Sequence, residues 1–149
     1  MLFRSISIPN LNDNMVMLVG GYSLESDILV YGEDLSAVYS HISEILPDII
    51  YKPHPGNYQI DGCLKEMEVF SHPFLPIEAI MKNLRLVISP NSGCLDVLAD
   101  HKVPVICLID MLSCPGLNKQ VWKQQKLRSP NIQFPQSIVE LDRLLLEYF

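Results

Sequence analysis

Two segments of the 149-residue chain carry polar side chains in patterns that suit phosphate chemistry. The first is Lys-Pro-His-Pro-Gly at residues 52–56, in which prolines on both sides of His54 restrict the backbone and fix the direction of the imidazole. A histidine held in this way could donate a hydrogen bond to a phosphate, or protonate a departing phosphate as a general acid, because its ordinary pKa is near neutral. The alternative for His54 is a turn residue that binds no ligand. The alternative for Lys52 is an exposed, solvated side chain.

The second segment is Ser-Pro-Asn-Ser-Gly at residues 89–93, which joins a predicted buried strand to a predicted helix. Hydroxyls, an amide and free backbone N–H groups at the start of a helix favour an anion. The alternative is that Asn91 or Ser92 is only the N-cap of that helix. The segment lacks the lysine and the glycine spacing of a Walker loop, so any phosphate site here is of another kind.

Glu78 and a pair of glycines are expected near these two segments. Glu78 lies in the first turn of a predicted helix, where its carboxylate could accept hydrogen bonds from ribose hydroxyls or serve only the helix dipole. Gly20 and Gly21 end the first apolar strand, and glycine permits the unusual backbone angles of a tight loop. The candidate binding residues are Gly20, Gly21, Lys52, His54, Pro55, Gly56, Glu78, Ser89, Asn91, Ser92 and Gly93, with His54 as the candidate catalytic group.

Short apolar strands alternate with helical patterns along the chain and would bring these loops together. Strands are predicted at residues 15–19, 48–51, 67–70, 84–88 and 103–108, and helices at residues 32–46, 76–83, 94–101 and 137–149. Such alternation favours right-handed βαβ units, and therefore a Rossmann-like, doubly wound, mainly parallel α/β sheet. Ligands of such sheets bind beyond the carboxyl ends of the strands. Residues 1–14 are expected to be a lead-in, and residues 113–136, which contain Trp122 and a basic cluster, to be irregular.

Composition limits the classes of function. A chain of this length with 48% hydrophobic and 19% charged residues is expected to form one domain with a single core. The net charge of −6 argues against coating nucleic acid or anionic lipid. The four cysteines form no C-x-x-C pair and no metal-ligand spacing, so a cytoplasmic protein with reduced thiols and no metal site is expected. Neither a signal peptide nor a membrane span is predicted.

The order of these motifs resembles the C-terminal, nucleotide-binding half of GT-B glycosyltransferases over about residues 15–108. More narrowly, it looks like bacterial sialyltransferases and polysialyltransferases that use CMP-sialic acid, with a more distant similarity to teichoic-acid-type polymerases that use CDP-linked donors. The resemblance maps the family's His-Pro motif onto His54 and Pro55, and its serine motif onto residues 89–92. It implies that His54 and Ser92 contact the donor phosphate and that Glu78 contacts the ribose.

The resemblance implies inverting transfer of a sugar from a CMP-sugar to a saccharide acceptor, with no metal required. Two departures from the family pattern bear on this expectation. Pro90 and Asn91 separate two serines that are often adjacent in the family. A chain of 149 residues is also expected to lack the N-terminal half that holds the acceptor site and the general base. The expected partners are therefore a nucleotide sugar, and an acceptor bound by a missing half, a partner chain or a second copy.

Two other classes of protein are consistent with a domain of this kind. One is a non-catalytic nucleotide-binding or interaction module, in which Trp122 and the basic cluster would form an interface. The other is a flavodoxin-like or receiver-type domain. Its phosphoacceptor version requires an acidic cluster at the strand ends, where this chain has mainly glycine, histidine and serine, and this disfavours it.

Overall fold

Six parallel strands form the centre of the protein in the computed structural model, which describes residues 13–20, 35, 37–53, 67–70, 75–113 and 118–148. The strands are β1 (Met15–Val19), β2 (Ile50–Lys52), β3 (Glu68–Val69), β4 (Leu84–Ser89), β5 (Val105–Cys107) and β6 (Ile132–Gln133). Their order across the sheet is β3-β2-β1-β4-β5-β6, and every neighbouring pair is parallel. The predicted doubly wound α/β class is therefore confirmed.

Helices and short 3-10 segments connect the strands. The helices are α1 (residues 37–45), α2 (Cys94–Asp100), α3 (Lys119–Lys126) and α4 (Ile138–Leu146), and the 3-10 segments are Ile77–Asn83 and Ile109–Met111. The helix predicted at residues 76–83 is thus a 3-10 segment, with a kink at Ile80. Within the described ranges, no helix is long and apolar enough to cross a membrane.

Apolar residues on both faces of the central strands make the core. Met17 and Leu18 on β1 and Leu86 and Ile88 on β4 have no exposed surface. Helices cover both faces of a parallel sheet, which is why these strands are continuous apolar runs rather than alternating patterns. Burial of each such side chain contributes about 1.5–3 kcal/mol. The central strands are therefore the rigid base from which the loops at the sheet edge extend.

The direction of winding reverses between β1 and β4. β2 and β3 follow β1 towards one edge of the sheet, whereas β5 and β6 follow β4 towards the other. The general rule that such parallel crossovers are right-handed places α1 and α2 on opposite faces. Leu18 pairs with Tyr51 on one side and with Ile88 on the other, so the next residues, which end the three strands, lie at one edge of the sheet. This edge, at the point where the strand order reverses, is where such folds bind ligands.

Residues 113–136, expected to be irregular, contain α3 and β6. Lys123 fixes α3 against the domain, because its ammonium lies 2.9 Å from the Asp110 carboxylate and 3.9 Å from the centre of the Phe134 ring. Lys119 donates a hydrogen bond to the carbonyl of Leu112. Part of the basic cluster in this region therefore holds the helix in place.

Two polar contacts join segments that are distant in the sequence. His41 on α1 contacts the Asp142 carboxylate on α4. Asp96 on α2 accepts a hydrogen bond from the backbone N–H of Ser129 at 2.6 Å. These contacts connect α4 to α1 on one face of the sheet and α2 to the segment before β6 on the other.

Candidate functional site

The candidate site lies at the carboxyl edge of the sheet, where β1, β2 and β4 end. The backbone N–H of Gly20 donates to the carbonyl of Lys52 at 2.9 Å, and that of Leu108 donates to the carbonyl of Ser89 at 2.8 Å. These hydrogen bonds continue the strand pairing by one residue and fix the points at which the chain leaves the sheet. Gly20, Lys52 and Ser89 therefore lie along one edge, beside the switch point of the fold.

Lys52 is a buried cation at the end of β2. Its side chain is 4% exposed, which excludes the alternative that it is a solvated surface lysine. Burial lowers the pKa of its ammonium, whereas Cys94 and Glu78 raise it. Lys52 is thus within electrostatic range of the first turn of α2 and of the 3-10 segment before β4. The end of β2, the start of α2 and the 3-10 segment, which are separate in the sequence, are thus all near the Lys52 ammonium.

Ser89 is buried at the end of β4 with its hydroxyl unsatisfied. Its side chain has no exposed surface, and its Oγ has no hydrogen-bond partner among the described residues. A buried polar group without a partner costs about 1–3 kcal/mol, and such a group in a native protein calls for an explanation. Its position at the ligand-binding edge of the sheet makes Ser89 a candidate contact for a bound polar group.

Residues 91–93 of the loop are accessible to solvent. Asn91 and Ser92 are partly exposed, Gly93 is exposed, and a Cβ added at Gly93 would meet no atom within 4 Å. The N-cap of α2 is Gly93, which has no side chain to cap the helix, and the Ser92 hydroxyl accepts a hydrogen bond from the first backbone N–H of α2 at 3.4 Å. Ser92 therefore takes part in ending the loop at the helix, as the N-cap alternative expected.

Cys94 is a member of this group that the sequence interpretation missed. Its Sγ lies 3.0 Å from the Ser92 hydroxyl, and its backbone N–H points to the same oxygen at 3.4 Å. Burial raises the pKa of the Cys94 thiol and Glu78 raises it further, while Ser92 and Lys52 lower it. The only signal in the sequence was its place directly after the serine loop, at the start of a predicted helix.

Glu78 lies in the first turn of the 3-10 segment and is half-buried. The buried side chains of Ile77 and Ile80 hold this segment, which packs against α2. Glu78 acts electrostatically on both Lys52 and Cys94. Glu78 is therefore close enough to Lys52 and Cys94 for its charge to act on both.

Four of the predicted site residues lie outside the described residues: Gly21, His54, Pro55 and Gly56. The proline before the histidine, Pro53, is described and buried. The structure thus brings together Gly20, Lys52, Glu78, Ser89 and Ser92, with Cys94 added. Within the described part of the chain, no cluster of three or more His, Cys, Asp or Glu side chains could hold a metal ion.

Two cavities are lined by none of the described site residues. One of about 670 Å³ is at the amino ends of the strands and is lined by residues that include Asp48, Glu68, Arg85 and Tyr148. Another of about 590 Å³ lies on the carboxyl side of the sheet, between α1, the residues after β5 and the start of α4.

Comparison with solved structures finds proteins of the same fold. A protein assigned as a UDP-N-acetylglucosamine 2-epimerase from Listeria monocytogenes has a TM-score of 0.63 and 16% identity, over 96% of this chain and 39% of that one. The UDP-GlcNAc 2-epimerase of Methanocaldococcus jannaschii, solved with UDP-GlcNAc and UDP, has a TM-score of 0.55 and 16% identity, over 92% and 38%. The wall teichoic acid polymerase TagF has a TM-score of 0.51 and 14% identity, over 93% and 38%.

These likenesses confirm a Rossmann-like fold of the GT-B type. At 14–16% identity they establish the fold and not a shared activity. The chain spans less than two-fifths of the length of each of these proteins. No protein-family model matches the sequence, and no curated protein sequence does.

Proposed function

We propose that this chain is the donor-binding half of a glycosyltransferase and that it binds a nucleotide sugar at the carboxyl edge of its sheet. The observation that carries the proposal is the buried Lys52 ammonium at the end of β2, together with the Ser89 hydroxyl at the end of β4, on the other side of β1, which has no partner among the described residues. A buried cation and a buried hydroxyl at the same edge of the sheet suit the phosphate of a nucleotide. The shared fold supports this class, because the Methanocaldococcus epimerase was solved with UDP-GlcNAc and UDP.

The donor that we propose is a CMP-sugar, with CMP-sialic acid as the first choice. The motif order favours it, through His54-Pro55 and the serine loop.

In the proposed reaction, an acceptor hydroxyl attacks the anomeric carbon of the sugar and the nucleotide phosphate departs from it, with inversion. Lys52 and the polar groups of residues 89–93 would stabilise the negative charge on the departing phosphate. His54 would donate a hydrogen bond or a proton to the same phosphate. The base that deprotonates the acceptor would come from a second half, a partner chain or a second copy.

A second candidate function is nucleotide binding without transfer. It is favoured by the described site, in which Lys52 and Ser89 suit a phosphate and no described side chain is assigned as the base for an acceptor. Incubation with CMP-sialic acid and a sialyl-accepting saccharide separates the two. Formation of a sialylated product by this chain identifies an enzyme, and nucleotide binding without product identifies a binding module or a donor half.

Calorimetric titration with CMP, CDP, UMP and UDP at pH 7.5 tests the proposed function. We expect CMP to bind more tightly than UMP or UDP, and Lys52→Met to weaken CMP binding about tenfold or more, since a hydrogen bond to a charged group contributes about 1.5–3 kcal/mol. Glu44→Gln, a charge change on the exposed side of α1, is the matched control and should leave binding unchanged. Tighter binding of UDP would overturn the cytidine assignment. Binding of none of the four would overturn the nucleotide class.

A further inference from the structure

We infer that Cys107 is a positioning residue for the serine loop, the segment at residues 89–93: its thiol holds the Pro90 carbonyl and so fixes the direction in which the loop leaves β4. The inference deepens the proposed function and rests on it for the ligand that the loop meets. It stands on two hydrogen bonds between β5 and the loop, on the burial of the groups that make them, and on the geometry of the peptide that they fix.

Two successive carbonyls are held by β5 at the point where β4 ends. Ser89, the last residue of β4, pairs with Cys107, the last residue of β5. The Ser89 carbonyl accepts a hydrogen bond from the backbone N–H of Leu108 at 2.8 Å. The next carbonyl, that of Pro90, accepts a hydrogen bond from the Cys107 thiol at 3.4 Å. A side chain thus extends the pairing of the two strands by one residue into the loop.

The chemistry of Pro90 gives this hydrogen bond its importance. Proline has no backbone N–H, so the carbonyl is the one backbone group through which Pro90 can be held by a hydrogen bond. Pro90 is buried, and a buried carbonyl without a partner is costly. Cys107 has no exposed surface, so water does not compete for the bond between them. The thiol therefore fixes the first residue of the loop that lies beyond the strand.

The Cys107 thiol is suited to this role by its proton and by its rigid base. Burial raises the pKa of the thiol to about 12, although a backbone hydrogen bond with Ile109 acts in the opposite direction. At neutral pH the thiol therefore keeps the proton that it donates. Ile106 and Leu108, its neighbours in the chain, have no exposed surface. A donor on such a base holds one position relative to the end of β4, as a positioning residue must.

The hydrogen bond sets the direction of one peptide group. The carbonyl of Pro90 and the N–H of Asn91 belong to the same planar, trans peptide, so they point in opposite directions. Because the carbonyl points to the Cys107 thiol, the N–H of Asn91 points away from it. Asn91 and Ser92, which follow, are partly exposed. The direction of this peptide therefore decides how the solvent-accessible part of the loop is presented to a ligand.

The alternative is that Cys107 is only a small apolar side chain of the core. In that case Cys107→Ala leaves a cavity and lowers the stability of the domain without a separate effect on the loop. If Cys107 positions the loop, the same change lets the peptide after Pro90 take more than one direction. Ligand affinity then falls by the fraction of molecules whose loop is in the binding form. Cys107→Ser keeps a donor and differs from Cys107→Ala by one hydroxyl.

The first measurement follows the backbone amides of the full chain by NMR without nucleotide. In Cys107→Ala we expect the Asn91 amide resonance, which belongs to the same peptide as the Pro90 carbonyl, to shift and broaden. The Leu108 N–H, which belongs to the strand pairing, should stay protected from hydrogen exchange. Ile106→Val, a conservative change at the buried neighbouring position of β5, is the matched control and should leave the Asn91 resonance in place.

Two results of the NMR experiment would contradict the inference. An Asn91 resonance that does not move in Cys107→Ala would mean that the thiol does not hold the loop. Loss of protection at the Leu108 N–H in the same variant would mean that the thiol holds the strand pairing instead. If Cys107→Ala does not fold, Cys107→Val, which fills the position without a donor, replaces it in both measurements.

The second measurement is calorimetric titration with CMP. We expect Cys107→Ala to bind CMP about threefold to tenfold more weakly than the parent, the loss for a loop that is in its binding form about a third to a tenth of the time. Cys107→Ser should recover part of the affinity, and Ile106→Val should bind as the parent does. Equal affinity of Cys107→Ala and the parent would overturn the inference. Equal weakness of Cys107→Ala and Cys107→Ser would assign the effect to lost volume and would overturn it too.

The inference and the proposed function fail in different ways. If no nucleotide binds but the Asn91 resonance moves in Cys107→Ala and stays in place in Ile106→Val, Cys107 positions the loop and the proposed nucleotide function fails. If CMP binds and every variant binds it as the parent does, the proposed function stands and the positioning role of Cys107 fails.

Discussion

The hydroxyl of Ser92 lies 3.0 Å from the thiol sulfur of Cys94, so these two side chains already contact each other in the loop before α2. Ser92 is the residue that the motif pattern assigns to the donor phosphate. To bind a phosphate, its hydroxyl would turn from the thiol to the ligand. The Cys94 thiol therefore competes with a bound phosphate for the Ser92 hydroxyl. A change at the thiol can also report that a ligand has bound.

Replacing Cys94 tests this competition. Cys94→Ala removes the thiol and leaves Ser92 free to face the ligand, so we expect CMP binding to be unchanged or up to a few-fold tighter. Ser92→Ala should weaken CMP binding about five- to tenfold, the range for one neutral hydrogen bond of about 1 kcal/mol. Calorimetric titration of both variants with CMP measures the two affinities. A loss of affinity in Cys94→Ala equal to that in Ser92→Ala would show that the thiol belongs to the binding surface.

Thiol reactivity provides a second prediction. Burial raises the pKa of Cys107 to about 12, and its Sγ–H donates to the Pro90 carbonyl at 3.4 Å. Because the thiolate is the reactive form, Cys107 should resist alkylation in the folded protein. Cys94 has a raised pKa but is partly exposed, so it should react slowly and faster as the pH rises.

Peptide mass spectrometry after timed treatment with iodoacetamide measures each thiol separately. Saturating CMP should slow the labelling of Cys94 and leave that of Cys107 at its low level. Labelling in denaturant, where both thiols react, is the control for peptide recovery. Rapid labelling of Cys107 in the folded protein, or no protection of Cys94 by a nucleotide shown to bind, would contradict the described arrangement.

Ser89 and Ser129 are both buried but differ in the hydrogen bonding of their hydroxyls, so replacing each by alanine gives a matched comparison. The Oγ of Ser89 has no partner among the described residues, whereas the Oγ of Ser129 accepts a hydrogen bond from the Asn131 N–H at 3.3 Å. Ser89→Ala removes an unsatisfied group, so the free energy of unfolding should rise by up to about 1 kcal/mol. Ser129→Ala removes a partner and should lower it by about the same amount.

Denaturant unfolding of the two variants gives these changes directly, and CMP titration of Ser89→Ala adds the functional result. We expect a more stable protein that binds CMP more weakly, because a polar group kept at a cost to stability is typical of a binding site. If Ser89→Ala destabilises the domain and binds CMP as the parent does, the hydroxyl has a structural role instead.

The fold could be predicted from the sequence because the central strands are short apolar runs between helical patterns. β1, at Met15–Val19, has the bounds expected from its run and the glycine that follows. α3 and β6 escaped prediction for physical reasons. α3 buries none of its residues, so its sequence has no apolar stripe, and β6 has two residues, too few to show a period.

The position of the candidate site at the edge of the sheet follows from the α/β class alone. The roles of Lys52, Glu78 and Ser89 in binding remain predictions. The burial of Lys52 was not predictable, since a lysine at the end of a strand is usually solvated. The electrostatic effect of Cys94 on Lys52 was not predictable either, because it acts between β2 and α2 across the switch point. Contacts between distant segments depend on the packing of the whole domain, which local patterns do not contain.

Lys52→Met tests the energetic cost of the buried cation. Methionine keeps most of the volume of lysine and removes the charge, so desolvation no longer opposes folding, while the half-exposed Glu78 keeps its contact with water. Between the lowered pKa of Lys52 in the folded protein and its ordinary value of 10.5, the unfolded state holds more protons than the folded state. The stability of the parent should therefore rise with pH across that window.

Lys52→Met has no ammonium at this position, so its stability should not show the rise with pH that the lowered pKa of Lys52 causes in the parent. We expect it to be more stable than the parent at pH 7, and the difference to disappear as the pH approaches 10.5. Urea unfolding of both proteins at several pH values measures the difference, and Lys126→Met, at an exposed position on α3, is the control. A difference that stays constant from pH 7 to 10.5 would mean that the lysine carries no burial cost. A less stable variant at pH 7 would mean that the attraction to Glu78 exceeds that cost.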